Sequence, residues 1–428
     1  MTHYAVVAPA YPSHFAALQA LAGELIERGH RVTFVHQVEA SAWLSDTRIG
    51  FHAVGHDSHP RGSLPRTLKL AANPGGPVGL RRLIHDLAAT THMLCRALPV
   101  ALAELQVDAL IADQMEAAGG LVAEALGLPF VSVACALPVN REQGVPLPVM
   151  PMTYEQSEAA MKRYEGSTRV YDWMMSPHAR VIEEQSRLLG LAPRRALHEC
   201  LSPLAQVSQS VAGFELPRKA LPPHFHHVGP LRPPLQGEAG LTYDIHPDRP
   251  MVFASLGTLQ GHRFGLFQRI AAACDRLGAQ LLVAHCGGLN SWQAGRLIEH
   301  GASWVTDFAP QRAALARANA VITHGGLNTV MDALVARTPM LALPIAFDQP
   351  GVATRIVQAG VGIKASPRFT GALGIGERLE MLTTEASFLS NIERLGSEVD
   401  AAGGVSLAAT ITEQAIETGK PVLPAELS

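Results

Sequence analysis

Three short segments between Trp304 and Gln349 carry residues suited to binding phosphate and sugar groups. They read Phe308-Ala309-Pro310-Gln311, His324-Gly325-Gly326-Leu327-Asn328-Thr329 and Phe347-Asp348-Gln349. In the second segment, glycines would let backbone amides approach an anion closely. A helix beginning near Leu327 would add free N–H groups and the positive end of its dipole, and Asn328 and Thr329 would add side-chain donors. This pattern predicts a diphosphate site.

The flanking segments suit the two ends of a sugar nucleotide. Phe308 offers a flat face to a base, although a plain core position is an equally simple explanation. Asp348 and Gln349 combine a carboxylate with an amide, as sugar hydroxyls require, although a solvated turn is the alternative. The first turn of a later strand series would face the same ligand through Ser255, Gly257 and Thr258. Their order along one segment favours a single sugar-nucleotide pocket.

Strands alternating with helices must position these residues. Apolar strands are predicted from Tyr4 and Arg31, with a helix over Phe15–Gly29 between them, and further strands near residues 109–112 and 130–133. A second series begins at Met251, after a Pro- and Gly-rich stretch, residues 229–250, which we interpret as a linker. This alternation predicts an α/β protein with two facing doubly wound domains and ligands at the carboxyl ends of the strands.

Composition narrows the function further. The 428 residues fit two domains, and the net charge of -3 gives no case for nucleic acid. Five widely spaced cysteines predict reduced, buried thiols. We find no signal peptide and no apolar run of about 20 residues. We therefore expect a cytoplasmic protein whose membrane contact, at the inner face of the cytoplasmic membrane, is at most peripheral.

Other phosphate motifs do not occur. The sequence contains no GxxxxGK and no GxGxxG after a strand, which argues against kinase-like ATPases and dinucleotide enzymes. It also lacks a D-x-D, so we predict no metal at the site and no cofactor. Histidines cluster around residues 52–59 and 224–227 without ligand spacing, and solvated loops are the expected explanation.

The Trp304–Gln349 segment resembles the C-terminal signature of family 1 glycosyltransferases, and Pro9-Ala10-Tyr11-Pro12-Ser13-His14 resembles their N-terminal one. Longer runs, such as GFHAVGHDSHP and FASLGTLQGHRFGLF, resemble the bacterial members that glucosylate zeaxanthin in carotenoid biosynthesis. The resemblance covers nearly the whole chain. It implies a GT-B fold with an acceptor domain (1–235), a UDP-sugar domain (236–403) and a C-terminal helix and tail (404–428) that packs back on the first domain.

The resemblance also implies residue roles. His14 would be the catalytic base and Asp113 the acid that orients it. UDP would be held by Ser255, Gly257, Thr258, Phe308, Gln311, His324, Gly326, Asn328, Thr329 and Asp332, and Asp348 and Gln349 would hold the sugar, with glucose favoured. Two positions depart from the family pattern. Asp332 replaces a ribose-binding glutamate, and Arg337 replaces a glycine.

The implied reaction is inverting transfer from UDP-glucose to the ring hydroxyls of zeaxanthin. A sterol, polyketide or flavonoid acceptor is an open alternative, because the motifs do not determine which acceptor binds. A sugar-nucleotide epimerase and a non-catalytic nucleotide-binding partner are weaker alternatives, since neither requires both His14 and Asp113. Residues 60–87 combine five basic side chains with leucines, which predicts either a membrane-interface patch or ordinary solvated helices.

Overall fold

The computed structural model describes residues 1–233 and 240–426. Its first domain is built on a parallel sheet whose central strands have mostly apolar sequences, as expected for strands covered on both faces. The strands are β1 (His3–Val7), β2 (Arg31–His36), β3 (Gly50–Ala53), β4 (Ala109–Asp113), β5 (Phe130–Ala134), β6 (Gln206–Ser208) and β7 (Phe225–His227). The helices are α1 (Pro12–Glu27), α2 (Ser63–Ala72), α3 (Pro77–Leu105), α4 (Ala117–Leu126), α5 (Glu158–Met174) and α6 (Ser176–Leu188). Short 3-10 helices span Val38–Trp43, Leu197–Cys200 and Ala212–Phe214.

The second domain repeats this design with a smaller parallel sheet. Its strands are β8 (Met251–Ser255), β9 (Gln280–Ala284), β10 (Trp304–Thr306), β11 (Ala320–Thr323), β12 (Met340–Ala342) and β13 (Gly362–Lys364). Its helices are α7 (Gly257–Gln260), α8 (Phe264–Arg276), α9 (Ser291–Glu299), α10 (Gln311–Arg317), α11 (Leu327–Val335), α12 (Gln349–Gln358), α13 (Ala372–Thr384) and α14 (Ala386–Ala401). The chain continues with α15 (Gly404–Thr418) and a 3-10 turn, Pro424–Glu426.

Strand order explains where a ligand can bind. The first sheet runs β3-β2-β1-β4-β5-β6-β7 and the second runs β10-β9-β8-β11-β12-β13, so the order reverses between β1 and β4 and between β8 and β11. In doubly wound sheets the crevice beyond the carboxyl ends lies at such a reversal. The two crevices are therefore lined by the carboxyl ends of β1, β4, β8 and β11 and the segments that follow them. These carry His14, Asp113, Ser255 and His324.

The C-terminal helix packs on the first domain. Ala408, Ile411 and Ala415 of α15 lie in the same apolar core as Leu18 and Leu25 of α1. At the edge of this contact, the Arg28 guanidinium donates to the Glu413 carboxylate at 2.7 Å. The predicted boundary between residues 235 and 236 falls among residues 234–239, outside the part of the chain that the structure describes.

Two local expectations are wrong. We placed the first helix from Phe15, but α1 begins at Pro12, whose fixed φ suits a first helical position; His14 therefore lies in a helical turn instead of a loop. We also expected residues 224–227 to be solvated, yet His226 is only 6% exposed in β7. Its Nε2 lies 3.0 Å from the Val422 carbonyl oxygen, because the segment after α15 covers this edge strand.

A buried ion pair joins the two domains. The Arg355 guanidinium on α12 donates through Nε to the Glu215 carboxylate of the first domain at 2.7 Å, and both side chains are about 2–3% exposed. Arg218 is also buried, with its Nε 3.9 Å from the same carboxylate. Burial would raise the pKa of Glu215, but the charges of Arg355 and Arg218 outweigh it and hold the pKa low. The carboxylate thus compensates two buried cations.

Glu215→Gln should destabilise the protein strongly, because it leaves both guanidinium groups buried without their counter-ion. Breaking such a pair costs about 3–5 kcal/mol, which corresponds to a melting temperature lower by on the order of 10 °C. Thermal unfolding followed by circular dichroism measures this. The matched control is Glu158→Gln, whose pair with Lys162 is mostly exposed and should contribute less than about 1 kcal/mol. Equal shifts for the two variants would contradict the assignment.

Candidate active site

His14 and Asp113 meet at the first crevice. His14 lies in the first turn of α1, Asp113 is the last residue of β4, and β1 and β4 are neighbours in the sheet. His14 Nδ1 lies 2.7 Å from Asp113 Oδ2, and the backbone N–H of Met115 donates to Asp113 Oδ1 at 2.8 Å. The Asp113 side chain is fully buried, whereas His14 keeps 12% of its side chain exposed. Asp113 thus orients the ring and leaves Nε2 for a substrate proton.

The charges around His14 favour a protonated ring. Burial alone would lower the pKa of His14, but the charge and hydrogen bond of Asp113 and the charge of Asp348 outweigh it and raise the pKa. A base with a raised pKa holds the proton it accepts more firmly. The pair can therefore take a proton from a hydroxyl and stabilise the imidazolium that results, as in a hydrolase triad.

The His324 turn forms the second crevice as the sequence predicts. His324 follows β11, Gly325 has a φ of +87°, and α11 begins at Leu327. Burial lowers the pKa of His324 to about 4, so its ring is neutral at pH 7. Its Nδ1 is buried and has no hydrogen-bond partner among the described residues. An unsatisfied buried nitrogen of this kind is consistent with a contact to a ligand.

Glycine is required on both sides of the His324 ring. A Cβ atom on Gly257 would lie 2.5 Å from the ring, and one on Gly326 would lie 2.7 Å from it. Gly257 also has a φ of +74°, a conformation that side chains disfavour. Ser255 ends β8 beside this turn, and Thr258 is exposed in α7. The ring therefore packs between two backbone segments that both face the cleft.

The residues predicted to contact the nucleobase and those predicted to contact the sugar differ in exposure. Phe308 is 70% exposed after β10, so the alternative of a core position is excluded. Asp348 precedes the first residue of α12, and its Oδ2 accepts from the backbone N–H of Leu137 in the first domain at 3.3 Å. Burial raises the pKa of Asp348, although that hydrogen bond and the charge of His14 oppose the rise. Gln349 Oε1 accepts from the N–H groups of Ile345 and Ala346, at 2.9 and 2.8 Å, so only its amide N–H groups are left for a ligand.

The remaining predicted donor residues form one hydrogen-bonded cluster. Gln311 Nε2 donates to Asp332 Oδ2 at 2.6 Å, and the Thr329 hydroxyl donates to Gln311 Oε1 at 3.2 Å. Asp332 Oδ1 accepts from Arg232 Nε at 2.8 Å. Both carboxylate oxygens of Asp332, which we predicted to contact ribose, therefore already accept hydrogen bonds from protein side chains.

Arg337, which we expect to stand where family members have glycine, occupies a backbone conformation that favours glycine. Its φ is +56°. The side chain is held there by Asp400 and by the Val335 carbonyl oxygen, to which Nη1 donates at 2.7 Å. It follows the C-terminal end of α11, away from the predicted diphosphate end of that helix.

Sequence reasoning missed several residues that the fold brings to the cleft. Tyr11 packs on both His14 and Phe347, with ring centroids 6.0 and 5.8 Å apart. Phe347 adopts a φ of +56°, a conformation that no pattern in the sequence predicts. Arg232 lies in the segment that we interpreted as a plain linker. Tyr11 and Phe347 lie within motifs that we had singled out, but neither side chain was assigned a role there, and Arg232 lies in no motif.

In the described part of the chain, one group of side chains has the donor atoms of a metal site. Ligand atoms of His14, Asp113 and Cys135 lie within 4.8 Å of one another. Two of them are already used in the hydrogen bond between His14 and Asp113. Burial and the nearby Asp113 charge raise the pKa of the Cys135 thiol, which disfavours the thiolate that a metal needs. The donor set therefore suits proton transfer better than metal binding.

Comparison with known proteins assigns the family. The family model described as "UDP-glucoronosyl and UDP-glucosyl transferase" matches residues 4–400, and the chain belongs to this family. It is 53% identical to the zeaxanthin glucosyltransferase of Pantoea ananas, over 99% of this chain and 98% of that one. It is 47% identical to the enzyme of the same name from Pseudescherichia vulneris, over 99% and 100%. The solved glycotransferase of kitacinnamycin superposes with a TM-score of 0.74 at 17% identity, over 96% and 98%, and supports the GT-B fold.

His14→Ala should lower kcat by at least about a hundredfold, because it removes the predicted base. The residues predicted to bind the donor lie on the second domain, so binding of UDP, measured by titration calorimetry, should be unchanged. The turnover assay and the titration are run on the same preparation. A variant that loses UDP binding together with turnover would contradict the assigned role.

The acid limb of the pH–rate profile should move in Asp113→Asn. The predicted base works unprotonated, so kcat/KM should fall as pH drops through the raised pKa of His14. Without the Asp113 charge, burial dominates and lowers that pKa, so the limb should shift to lower pH while the maximal rate decreases. Rates between pH 5 and 9 test this. A lower rate with an unmoved limb would mean that Asp113 does not set the pKa.

Proposed function

We propose that this chain transfers glucose from UDP-glucose to the ring hydroxyls of zeaxanthin, giving the mono- and then the di-β-glucoside. The pairing of His14 with Asp113 at one crevice, opposite the His324 turn at the other, carries the transfer reaction. Full-length identities of 53% and 47% to two zeaxanthin glucosyltransferases support the acceptor. UDP-glucose acts as co-substrate, and the reaction needs no cofactor and no metal.

The chemistry follows from the positions of the side chains. His14 Nε2 removes the acceptor hydroxyl proton as that oxygen attacks the anomeric carbon, and the bond from this carbon to the β-phosphate oxygen breaks. The negative charge developing on UDP meets the N–H groups at the start of α11. The Asp113 charge stabilises the imidazolium. A single displacement inverts the anomeric centre, so an α-linked donor gives a β-glucoside.

The donor residues divide among the parts of the nucleotide sugar. The base stacks on exposed Phe308, and the diphosphate lies between the His324 turn and Ser255 with Thr258. Asp348 and the amide N–H groups of Gln349 hold the glucose hydroxyls, with Asp348 close enough to His14 for each charge to influence the other. This places the reacting carbon between the sugar end of the second domain and the base of the first.

The transfer assay uses purified protein, UDP-glucose and zeaxanthin in detergent micelles, with a chelator present. We expect pigment products heavier by one and then two hexose units, detected by mass spectrometry. No product despite clear UDP-glucose binding would contradict the zeaxanthin assignment and direct the search to sterol, polyketide or flavonoid acceptors. Loss of activity that added divalent cations restore would contradict the metal-independent mechanism.

We further propose that the protein reaches its acceptor at a membrane surface. In the described residues, no helix is long and apolar enough to cross a bilayer. The corner formed by α2 and the start of α3 exposes basic side chains beside apolar ones, with Val78 69% exposed. We call it the basic corner; its cations are Arg61, Arg66, Lys69, Arg81 and Arg82. Such a surface suits an anionic lipid leaflet.

The basic corner lies beside the cleft. Arg263 of the second domain donates through Nη2 to the Ala72 carbonyl oxygen at the end of α2, at 3.3 Å. Asp86 of α3 accepts from the Thr67 hydroxyl of α2 at 3.0 Å. Burial and, to a lesser degree, the Asp86 charge raise the pKa of Tyr11, whose ring contacts His14. A bilayer touching this corner would lie near the catalytic base.

Arg81→Gln/Arg82→Gln should weaken binding to anionic vesicles by roughly tenfold or more, since each basic residue contributes about 1 kcal/mol at such a surface. Co-sedimentation with phosphatidylglycerol-containing vesicles measures this. The matched control is Arg276→Gln/Arg317→Gln, which removes two exposed charges from the second domain. Equal loss in both variants, or no vesicle binding by the unmodified protein, would refute the proposed surface.

A further inference from the structure

Arg232 connects the first domain to the predicted nucleotide site. It follows β7, and its side chain is 16% exposed. Its Nε donates to Asp332 Oδ1 at 2.8 Å and its Nη2 to the Asn328 carbonyl oxygen at 2.9 Å, both on α11. Its Nη1 donates to Gln209 Oε1 at 3.2 Å and to the Leu231 carbonyl oxygen at 2.7 Å. The guanidinium therefore rests on the same helix whose N-terminus forms the diphosphate cradle.

The contacts of Arg232 extend to the catalytic base. Gln209, fully buried at the end of β6, donates through Nε2 to Asn328 Oδ1 at 2.8 Å. Asn328 Nδ2 donates to the Ser13 carbonyl oxygen at 3.0 Å, and Ser13 directly precedes His14. Arg232, Gln209 and Asn328 thus form a continuous set of hydrogen bonds from the donor cradle to the turn that carries the base.

Asp332 creates an electrostatic problem that Arg232 solves. The carboxylate is 5% exposed and lies on α11, just past the turn predicted to bind a diphosphate. A buried, uncompensated negative charge there would repel the ligand and would be costly in itself. Arg232 supplies the opposite charge, while Gln311 satisfies the second oxygen.

We infer that Arg232 is a donor-site positioning residue, which neutralises and orients Asp332 so that the pocket accepts a nucleoside diphosphate and Asp332 faces its ribose hydroxyls. This inference rests on the proposed function only in taking the donor to be a uridine diphosphate sugar. Four of the five guanidinium N–H groups are used on protein acceptors. The residue is supplied by the interdomain segment, so nucleotide binding is coupled to the arrangement of the domains.

The test is UDP binding by titration calorimetry, which needs neither acceptor nor turnover. Arg232→Met should weaken UDP binding at least about tenfold, because it removes the counter-ion of the Asp332 carboxylate near the predicted diphosphate position. Adding Asp332→Asn to Arg232→Met should recover most of that loss, since the unpaired charge is gone. Because removing the unpaired charge would also restore stability, all affinities are measured well below the melting temperature of each variant, where a purely structural role would leave UDP binding by the folded protein unchanged.

Two further variants separate charge and geometry from general damage. Arg232→Lys keeps the charge without the planar fork, so its UDP affinity should lie between those of the unmodified protein and Arg232→Met. The control is Arg194→Met, which removes an arginine of similar exposure, paired with Glu124 on the far side of the first domain; UDP binding should be unchanged. Thermal unfolding of each variant identifies one that fails to fold, and Arg232→Lys then decides the test.

The contribution of the ribose 2′-hydroxyl is measured by comparing the binding of UDP with that of 2′-deoxy-UDP. The unmodified protein should bind UDP more tightly than the deoxy analogue, and Asp332→Asn should reduce that preference. Unchanged UDP binding in Arg232→Met, or a double variant as weak as Arg232→Met, would overturn the inference while leaving the proposed transferase intact. Failure of the unmodified protein to bind UDP would instead overturn both.

Discussion

The hydrogen bond of 2.7 Å between His14 and Asp113 depends on a single property of the first sheet, the adjacency of β1 and β4. These strands are distant in sequence but parallel, so the residues that follow them emerge at one edge. The same reversal of strand order in the second sheet places the Gly257 turn against the His324 turn. Each half of the site is therefore a consequence of topology, and the reaction requires only that the two edges face each other.

That facing arrangement is maintained by polar contacts buried between the domains. Arg355 and Glu215 form an ion pair across the interface, and a Cβ atom on Gly351 would lie 1.8 Å from the Pro148 carbonyl oxygen, so the backbones touch. Closer to the chemistry, the Leu137 N–H binds Asp348 and Asn328 binds the Ser13 carbonyl oxygen. The residues that would hold the donor are therefore the same residues that join the domains.

The strands and turns that the sequence could predict are those with a local pattern of residues. Buried parallel strands leave continuous apolar runs, and the turns after them carry glycine and polar residues, so β1, β4, β8 and β11 and their turns were recognisable. Arg232 left no comparable signal, because its role arises from a tertiary contact with α11 and its neighbours read as a Pro- and Gly-rich linker. The same holds for His226, since only the folded chain brings residues after α15 across β7. For Asp332 the sequence identified the position and could not reveal its partner.

The partner of Asp332 alters how a substitution of one methylene group is interpreted. Shortening a glutamate to an aspartate withdraws the carboxylate toward its own helix, and here Arg232 and Gln311 meet it there. A shorter acid that is held on two sides is more rigid than a longer one reaching into a cleft, because fewer rotamers are open to it. Rigidity of this kind is useful where a polar site must be arranged before its ligand arrives. The departure from the family pattern and the arginine of the interdomain segment therefore belong to one arrangement, which only the three-dimensional structure joins.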